Sequence, residues 1–156
     1  MEYPVNAQLK RFNLLQSKLD AIYHEAALKL GLSDSAMLIL YTLCWCDGEC
    51  MLGDITSVAN KQTINSALRK LEADDIVRSE TFAGRKKKLR LTDKGRAFVK
   101  DTVFLLIEVE NEIFDLWSEE EKNIYLALTQ RYLTTFKEKM KKISYTRAKK
   151  DTDVSS

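Results

Sequence analysis

Apolar residues recur along this chain in stretches separated by short polar breaks, and the spacing inside most stretches is helical. Leu9, Phe12, Leu15, Leu19, Ile22, Tyr23, Ala26 and Leu30 fall every three or four positions, which is the period of one helix face. Asn6 is placed to cap this first helix and Gly31 to stop it. So long a stripe needs a partner along its whole length. Ser33 is placed to cap a second helix from Asp34 to about Trp45. Its Met37, Leu38, Ile39, Leu40, Leu43 and Cys44 are apolar nearly all round, so its expected place is the middle of the core. Asp47-Gly48 ends it in a turn.

A short third helix, from about Met51 to Val58, presents Leu52, Ile55 and Val58 on one side. A fourth begins just after Asn60 and turns Ile64, Ala67, Leu68 and Leu71 toward a core. Two helices this close together in sequence form a helix-turn-helix pair. The period then changes. Val77 to Phe82 and Lys87 to Leu91 read as two strands around Ala83-Gly84-Arg85-Lys86, with glycine where the turn needs backbone freedom. Thr92 follows as the N-cap of a fifth helix, with Asp93 favourable in its first turn. That helix is read as continuous through Phe98, Val103, Leu106, Val109, Ile113, Phe114 and Trp117. Ser118 and Glu121 make a capping-box pair that opens a sixth, whose stripe is Tyr125, Leu128, Tyr132, Phe136, Met140 and Ile143. From about Ser144 the chain is polar and is expected to fray.

The expected fold class is therefore mainly α with a small β-hairpin wing, a winged helix-turn-helix. Helices 1, 5 and 6 carry more apolar stripe than one small unit can cover, so a homodimer is expected. One domain over residues 1–156 is the simplest organisation. Within it, residues 33–100 form a winged-helix lobe, 5–31 and 101–143 supply dimerisation helices, and 144–156 are a flexible tail.

Charge sharpens this picture where the whole-chain net of +2 does not. Residues 60–100 hold 12 basic and 5 acidic side chains, a local +7, which leaves −5 for the remainder. A segregated basic surface is the footprint of a polyanion partner. Gln62, Thr63, Asn65, Ser66 and Arg69 lie off the apolar stripe of the fourth helix. Their amide, hydroxyl and guanidinium groups suit base edges in a major groove. Lys61, Lys86, Lys87 and Lys88 suit phosphates, and Arg85 suits the minor groove. Residues 101–136 carry 8 acidic and 2 basic side chains, which places dimerisation away from the basic face. The basic run from Lys137 to Lys150 is read as a solvated helix end.

Composition narrows the remaining classes. Forty-five per cent hydrophobic residues with one proline and five glycines suit a folded helical protein. No run of 18 apolar residues is present, and MEYPVNAQLKRF lacks a secretory pattern. Three cysteines, an odd count, fit a reducing cytoplasm. No glycine-rich phosphate loop or nucleophile elbow occurs, and His24 is the sole histidine, so the chain is not read as an enzyme and no cofactor is expected. Cys44, Cys46 and Cys50 lie close in sequence but form no CxxC. Cys44 and Cys46, near the end of the most apolar helix, read as small hydrophobes rather than a thiol or metal sensor. Cys50, after Gly48, is expected to be the most exposed of the three. Tyr23, Tyr41, Trp45, Phe104, Trp117 and Tyr125 have the spacing of buried helix faces and read as core rather than a ligand cavity.

Lys61-Gln62-Thr63-Ile64-Asn65-Ser66-Ala67-Leu68-Arg69-Lys70-Leu71-Glu72, together with Leu91-Thr92-Asp93-Lys94-Gly95, resembles the MarR family of bacterial transcription regulators. The resemblance extends over about Leu9 to Met140. It implies a dimeric winged-helix protein on a pseudo-palindromic operator in double-stranded DNA, often under small-molecule or redox control. The expected function is thus a sequence-specific regulator, a repressor in its simplest form. Two departures stand out. Members commonly carry an acidic-then-arginine wing motif, whereas this wing reads Gly84-Arg85-Lys86-Lys87-Lys88, with Arg85 standing for the minor-groove arginine. Where members have glycine after the recognition helix, this chain has Asp74-Asp75, and aspartate visits the left-handed conformation more readily than most residues. The alternatives are a winged-helix adaptor for an acidic protein surface, and a thiol- or metal-responsive regulator using the cysteine cluster.

Overall fold

The computed structural model describes residues 3–57, 61–82 and 84–143. The chain divides into two compact units, Met1–Glu110 and Asn111–Ser156. The first opens with α1 (Ala7–Lys29), whose N-terminus is capped by the Asn6 side chain, accepting from the amides of Gln8 and Leu9. Gly31, at φ +69°, takes the left-handed conformation that ends the helix. α2 (Asp34–Trp45) starts at Ser33, whose hydroxyl accepts from the Ala36 amide at 3.1 Å. Ala36, Met37, Ile39, Leu40, Thr42 and Leu43 are all buried, so α2 is the central helix of this unit. α1, α4 and the small sheet all contact it.

After α2 the chain makes a tight turn through Asp47 and Gly48, both at positive φ, into a short strand β1 (Glu49–Met51). α3 (Leu52–Thr56) and α4 (Lys61–Ala73) follow. Val58, read as the end of the third helix, and Asn60, read as the residue before the fourth, lie outside the described residues. β2 (Val77–Phe82) and β3 (Lys86–Leu91) form the hairpin, and the sheet order is β1-β3-β2, antiparallel throughout. Only three residues long, β1 has no alternation to betray it; it exists because β3 pairs with it. Leu89 and Leu91 of β3 are buried, as are Val77 of β2 and Cys50 of β1. These inward residues join Ile39, Leu40, Leu43, Ile55, Ile64 and Leu68 in one hydrophobic cluster.

The fifth helix of the sequence reading is two helices. α5 (Asp93–Lys100) ends at Asp101, and α6 (Val103–Asp115) begins two residues later. No glycine or proline marks the break. Instead the ladder tightens there: the Asp101 amide donates to the Phe98 carbonyl at 3.2 Å and the Thr102 amide to the Val99 carbonyl at 3.3 Å, each three residues back. The buried Val103 then packs into the core cluster.

In the second unit, α7 (Glu119–Met140) opens with the expected capping box: the Ser118 amide donates to Glu121 at 2.7 Å, and the Glu121 amide to the Ser118 hydroxyl at 3.1 Å. Phe114 stacks on Trp117 at this corner with ring centroids 5.1 Å apart, and Tyr125 meets Trp117 edge-on at 5.2 Å. No residue of α7 is buried. The tail from Ser144 lies outside the described residues. No single described helix is long and apolar enough to cross a membrane.

Candidate nucleic-acid interface

α4 is amphipathic in the way its sequence requires. Ile64, Leu68 and Leu71 are buried against α2, while Gln62, Thr63, Asn65, Ser66 and Arg69 are exposed. Lys61 is the first residue of the helix. The Ser66 hydroxyl donates to the Gln62 carbonyl at 3.3 Å, one turn back. Five polar side chains of modest length on one open helix face form a surface able to hydrogen-bond base edges and phosphates.

The wing is held beside this helix by three sets of contacts. First, α4 ends in a turn where Asp75 sits at φ +55°, the left-handed conformation read from its sequence. Second, the Ser79 hydroxyl of β2 donates to the Glu72 carboxylate of α4. Third, Leu91-Thr92-Asp93-Lys94-Gly95 staples the start of α5 to the same turn. The Thr92 hydroxyl accepts from the Gly95 amide at 2.9 Å and donates to the Asp75 carbonyl at 2.6 Å. Lys94 donates to the Asp74 carbonyl at 2.7 Å. Gly95 is required there because a Cβ would lie 2.0 Å from the Ile76 carbonyl oxygen. The motif thus fixes helix, wing and α5 relative to one another.

At the wing, Gly84 is at φ +83° and Arg85, Lys86 and Lys87 are exposed. Ala83 lies outside the described residues. Lys88 is placed differently from the three before it. Its side chain is only 30% exposed and pairs with Glu49 of β1, which also accepts from Arg90 Nη2 at 2.7 Å. Lys88, and then Arg90, hold the Glu49 carboxyl below its ordinary range. Sequence reasoning missed this contact, since Glu49 lies in the strand that pattern alone does not reveal.

Elsewhere the structure reassigns two groups. Cys50, expected to be the most exposed thiol, is buried in β1, whereas Cys46, just past α2, is exposed. Burial, with smaller contributions from Cys46 and Asp54, pushes the Cys50 thiol up to about 11 from an ordinary 9.0. Among the described residues, no three His, Cys, Asp or Glu side chains gather as a metal site requires. Tyr23, Tyr41 and Trp45, read as core, instead line a cavity of about 410 Å³ between α1, α2 and α6, and Trp45 is largely exposed. Both tyrosine hydroxyls donate to the Glu110 carboxylate. Burial, followed by that bond, raises the Tyr41 pKa.

No protein-family model and no curated protein matches the chain. Solved structures do match its fold. A MarR family regulator from Neisseria meningitidis superimposes with a TM-score of 0.77 at 17% identity, covering 88% of this chain and 98% of that one. MepR of S. aureus, solved in complex with DNA, matches with a TM-score of 0.62 at 20% identity, over 80% of this chain and 93% of its own. NadR in complex with 4-hydroxyphenylacetate matches with a TM-score of 0.65 at 13% identity, over 85% and 96%. The chain has the winged-helix fold that these regulators share.

Proposed function

We propose that this chain, built on the fold of the MarR-family regulators, is a cytoplasmic transcriptional regulator that binds a pseudo-palindromic site in double-stranded DNA as a homodimer. The observation that carries this reading is the exposed polar face of α4 beside a hairpin tip bearing Arg85, Lys86 and Lys87. α4 enters a major groove, where Gln62, Thr63, Asn65, Ser66 and Arg69 meet base edges. Lys61, Lys86 and Lys87 neutralise phosphates, and Arg85 enters the neighbouring minor groove. Residues 33–100 serve as the DNA-binding lobe, and 5–31 with 101–143 as dimerisation helices. Supporting the dimer, Leu15 and Ile22 of α1 and Leu128 and Phe136 of α7 are all at least half exposed in the single chain. Repression, by occupying an operator against the polymerase, is the simplest form of this regulation.

Release by a small molecule is the second part of the reading, and the cavity beneath Tyr23, Tyr41 and Trp45 supports it. Its volume is in the range of small-molecule sites. Asp20, Asp34 and Glu110 line it with no lysine or arginine, which favours a neutral or cationic ligand over an anion.

The test compares two sets of variants on a selected operator and on scrambled duplex across a salt series. Gln62→Ala and Arg69→Ala remove base contacts worth about 1–3 kcal/mol of discrimination each, so the operator loses its advantage. Lys86→Ala and Lys87→Ala weaken binding to every sequence and flatten the salt dependence by about one unit per lost phosphate contact in each protomer. If neither set changes either affinity, this face does not bind DNA and the adaptor reading takes its place.

A further inference from the structure

The alternation of β3 sorts its basic residues. Leu89 and Leu91 point into the core, so Lys86, Lys88 and Arg90 share the outer face of the sheet. Arg78 of β2, paired with Asp75 at 3.4 Å, stands directly opposite Arg90 on that face, and Glu80 stands opposite Lys88. Like charges opposed across a ladder repel. On the other side of β3, Glu49 is paired in register with Arg90 and is diagonal to Lys88. Its two carboxylate oxygens are divided between the two cations, one to Lys88 Nζ and the other to Arg90 Nη2. The backbone around Glu49 is held too. Its amide donates to the Cys46 carbonyl at 3.1 Å, and the neighbouring Gly48 carbonyl accepts from the Leu91 amide at 2.8 Å.

We propose that Glu49 is the positioning residue of the wing, fixing the stem of the hairpin to the end of α2 and withholding Lys88 and Arg90 from DNA. Phosphate contact by the wing then falls to Lys86 and Lys87 at the tip, beside Arg85 in the minor groove. This inference rests on the DNA-binding reading above. It departs from the expectation that Lys88 neutralises phosphate alongside Lys86 and Lys87. Charge confined to the tip confines contact to one place along the groove, whereas a stem with free cations slides and tilts without losing attraction. Glu49 therefore gives up affinity for DNA in general and gains discrimination.

The experiment uses the full chain and four forms: wild type, Glu49→Gln, Lys88→Met and the double variant. Each is titrated with operator and with scrambled duplex over a salt series, after circular dichroism has verified the fold. Glu49→Gln is isosteric and removes the carboxylate that Lys88 and Arg90 share, leaving Glu80 opposite Lys88 in place. Its affinity for scrambled duplex rises at low salt, and its salt dependence steepens by roughly 0.9 for each released cation that reaches a phosphate. The operator-to-scrambled ratio falls. Lys88→Met alone leaves the wild-type salt slope unaltered, yet in the Glu49→Gln background it removes part of the added slope. A merely structural glutamate would lower both affinities at constant slope, and that result overturns the proposal. So does a Lys88→Met variant whose slope is flatter than wild type, since Lys88 would then already contact phosphate. If wild type binds operator and Glu49→Gln behaves identically, only the role of Glu49 is lost. If wild type binds no duplex at any salt, the DNA-binding reading fails and takes this one with it.

Discussion

Gly95→Ala tests the joint that holds α4, the wing and α5 together. A Cβ at position 95 would lie 2.0 Å from the Ile76 carbonyl oxygen, about 1 Å inside the 3.0 Å that real Cβ atoms keep. The obstacle is backbone, so no side-chain rotation relieves it. Either the first turn of α5 or the turn at Asp75-Ile76 must move by that amount. Such a shift strains the Thr92 contacts to Gly95 at 2.9 Å and Asp75 at 2.6 Å. Overpacking costs about 1–3 kcal/mol, and a weakened N-cap about 0.5–2 kcal/mol. Alanine's better helix propensity returns at most about 1 kcal/mol. The net expectation is a loss of about 2 kcal/mol. Gly53→Ala in α3 is the control, because nothing lies within 4 Å of its added Cβ; it should be neutral or slightly stabilising. Urea unfolding at one fixed protomer concentration measures both, as a shift in midpoint with unchanged slope. A Gly95→Ala protein as stable as the Gly53→Ala control would refute the reasoning.

Three further outcomes are expected. Sedimentation at low micromolar concentration should give one species of twice the 18.0 kDa chain mass; Leu15→Glu with Phe136→Glu should split or unfold it, because an unpaired charge would be buried at the interface, and a well-folded wild-type monomer would contradict the dimer. Alkylation of the native protein should modify the exposed Cys46 first and Cys50 last, while Cys44→Ser, Cys46→Ser and Cys50→Ser each leave DNA affinity and its response to peroxide or zinc unchanged; a release from DNA that one of these variants abolishes would restore the thiol- or metal-sensing reading. Cys50 holds its proton to about pH 11 when folded against an ordinary 9.0, so the unfolded chain ionises first and stability falls as pH rises through that window; Cys50→Ala should decline less over the same range, and an equal decline would contradict the burial argument.

What the sequence revealed follows from how local each signal is. Asn6, Ser33, Thr92 and Ser118 cap the helices they precede, since a cap is made within four residues. The apolar stripe of α4 and the buried run of α2 were legible for the same reason. Features created by pairing across the chain were not. β1 is a strand only because β3 lies beside it, and that pairing buries Cys50 and brings Glu49 to Lys88. The break at Asp101-Thr102 escaped because neither glycine nor proline marks it, and the shift of its amides to carbonyls three residues back leaves no mark in the sequence. The three aromatic residues around Glu110 have core spacing, and only the packing of α1, α2 and α6 shows that a cavity separates them. At the proposed interface, residue types were readable, whereas the division of the wing's charges was not.

The central claim is tested most directly by selecting bound sequences from a random pool of duplex DNA with the full-length protein. Two-fold symmetry and one recognition helix per protomer predict enrichment of an inverted repeat, its half-sites about 10 base pairs apart from centre to centre. Arg69→Ala should relax the preference at one position in each half-site. A pool that emerges unenriched, with binding that shows no preference among duplexes, would contradict the account.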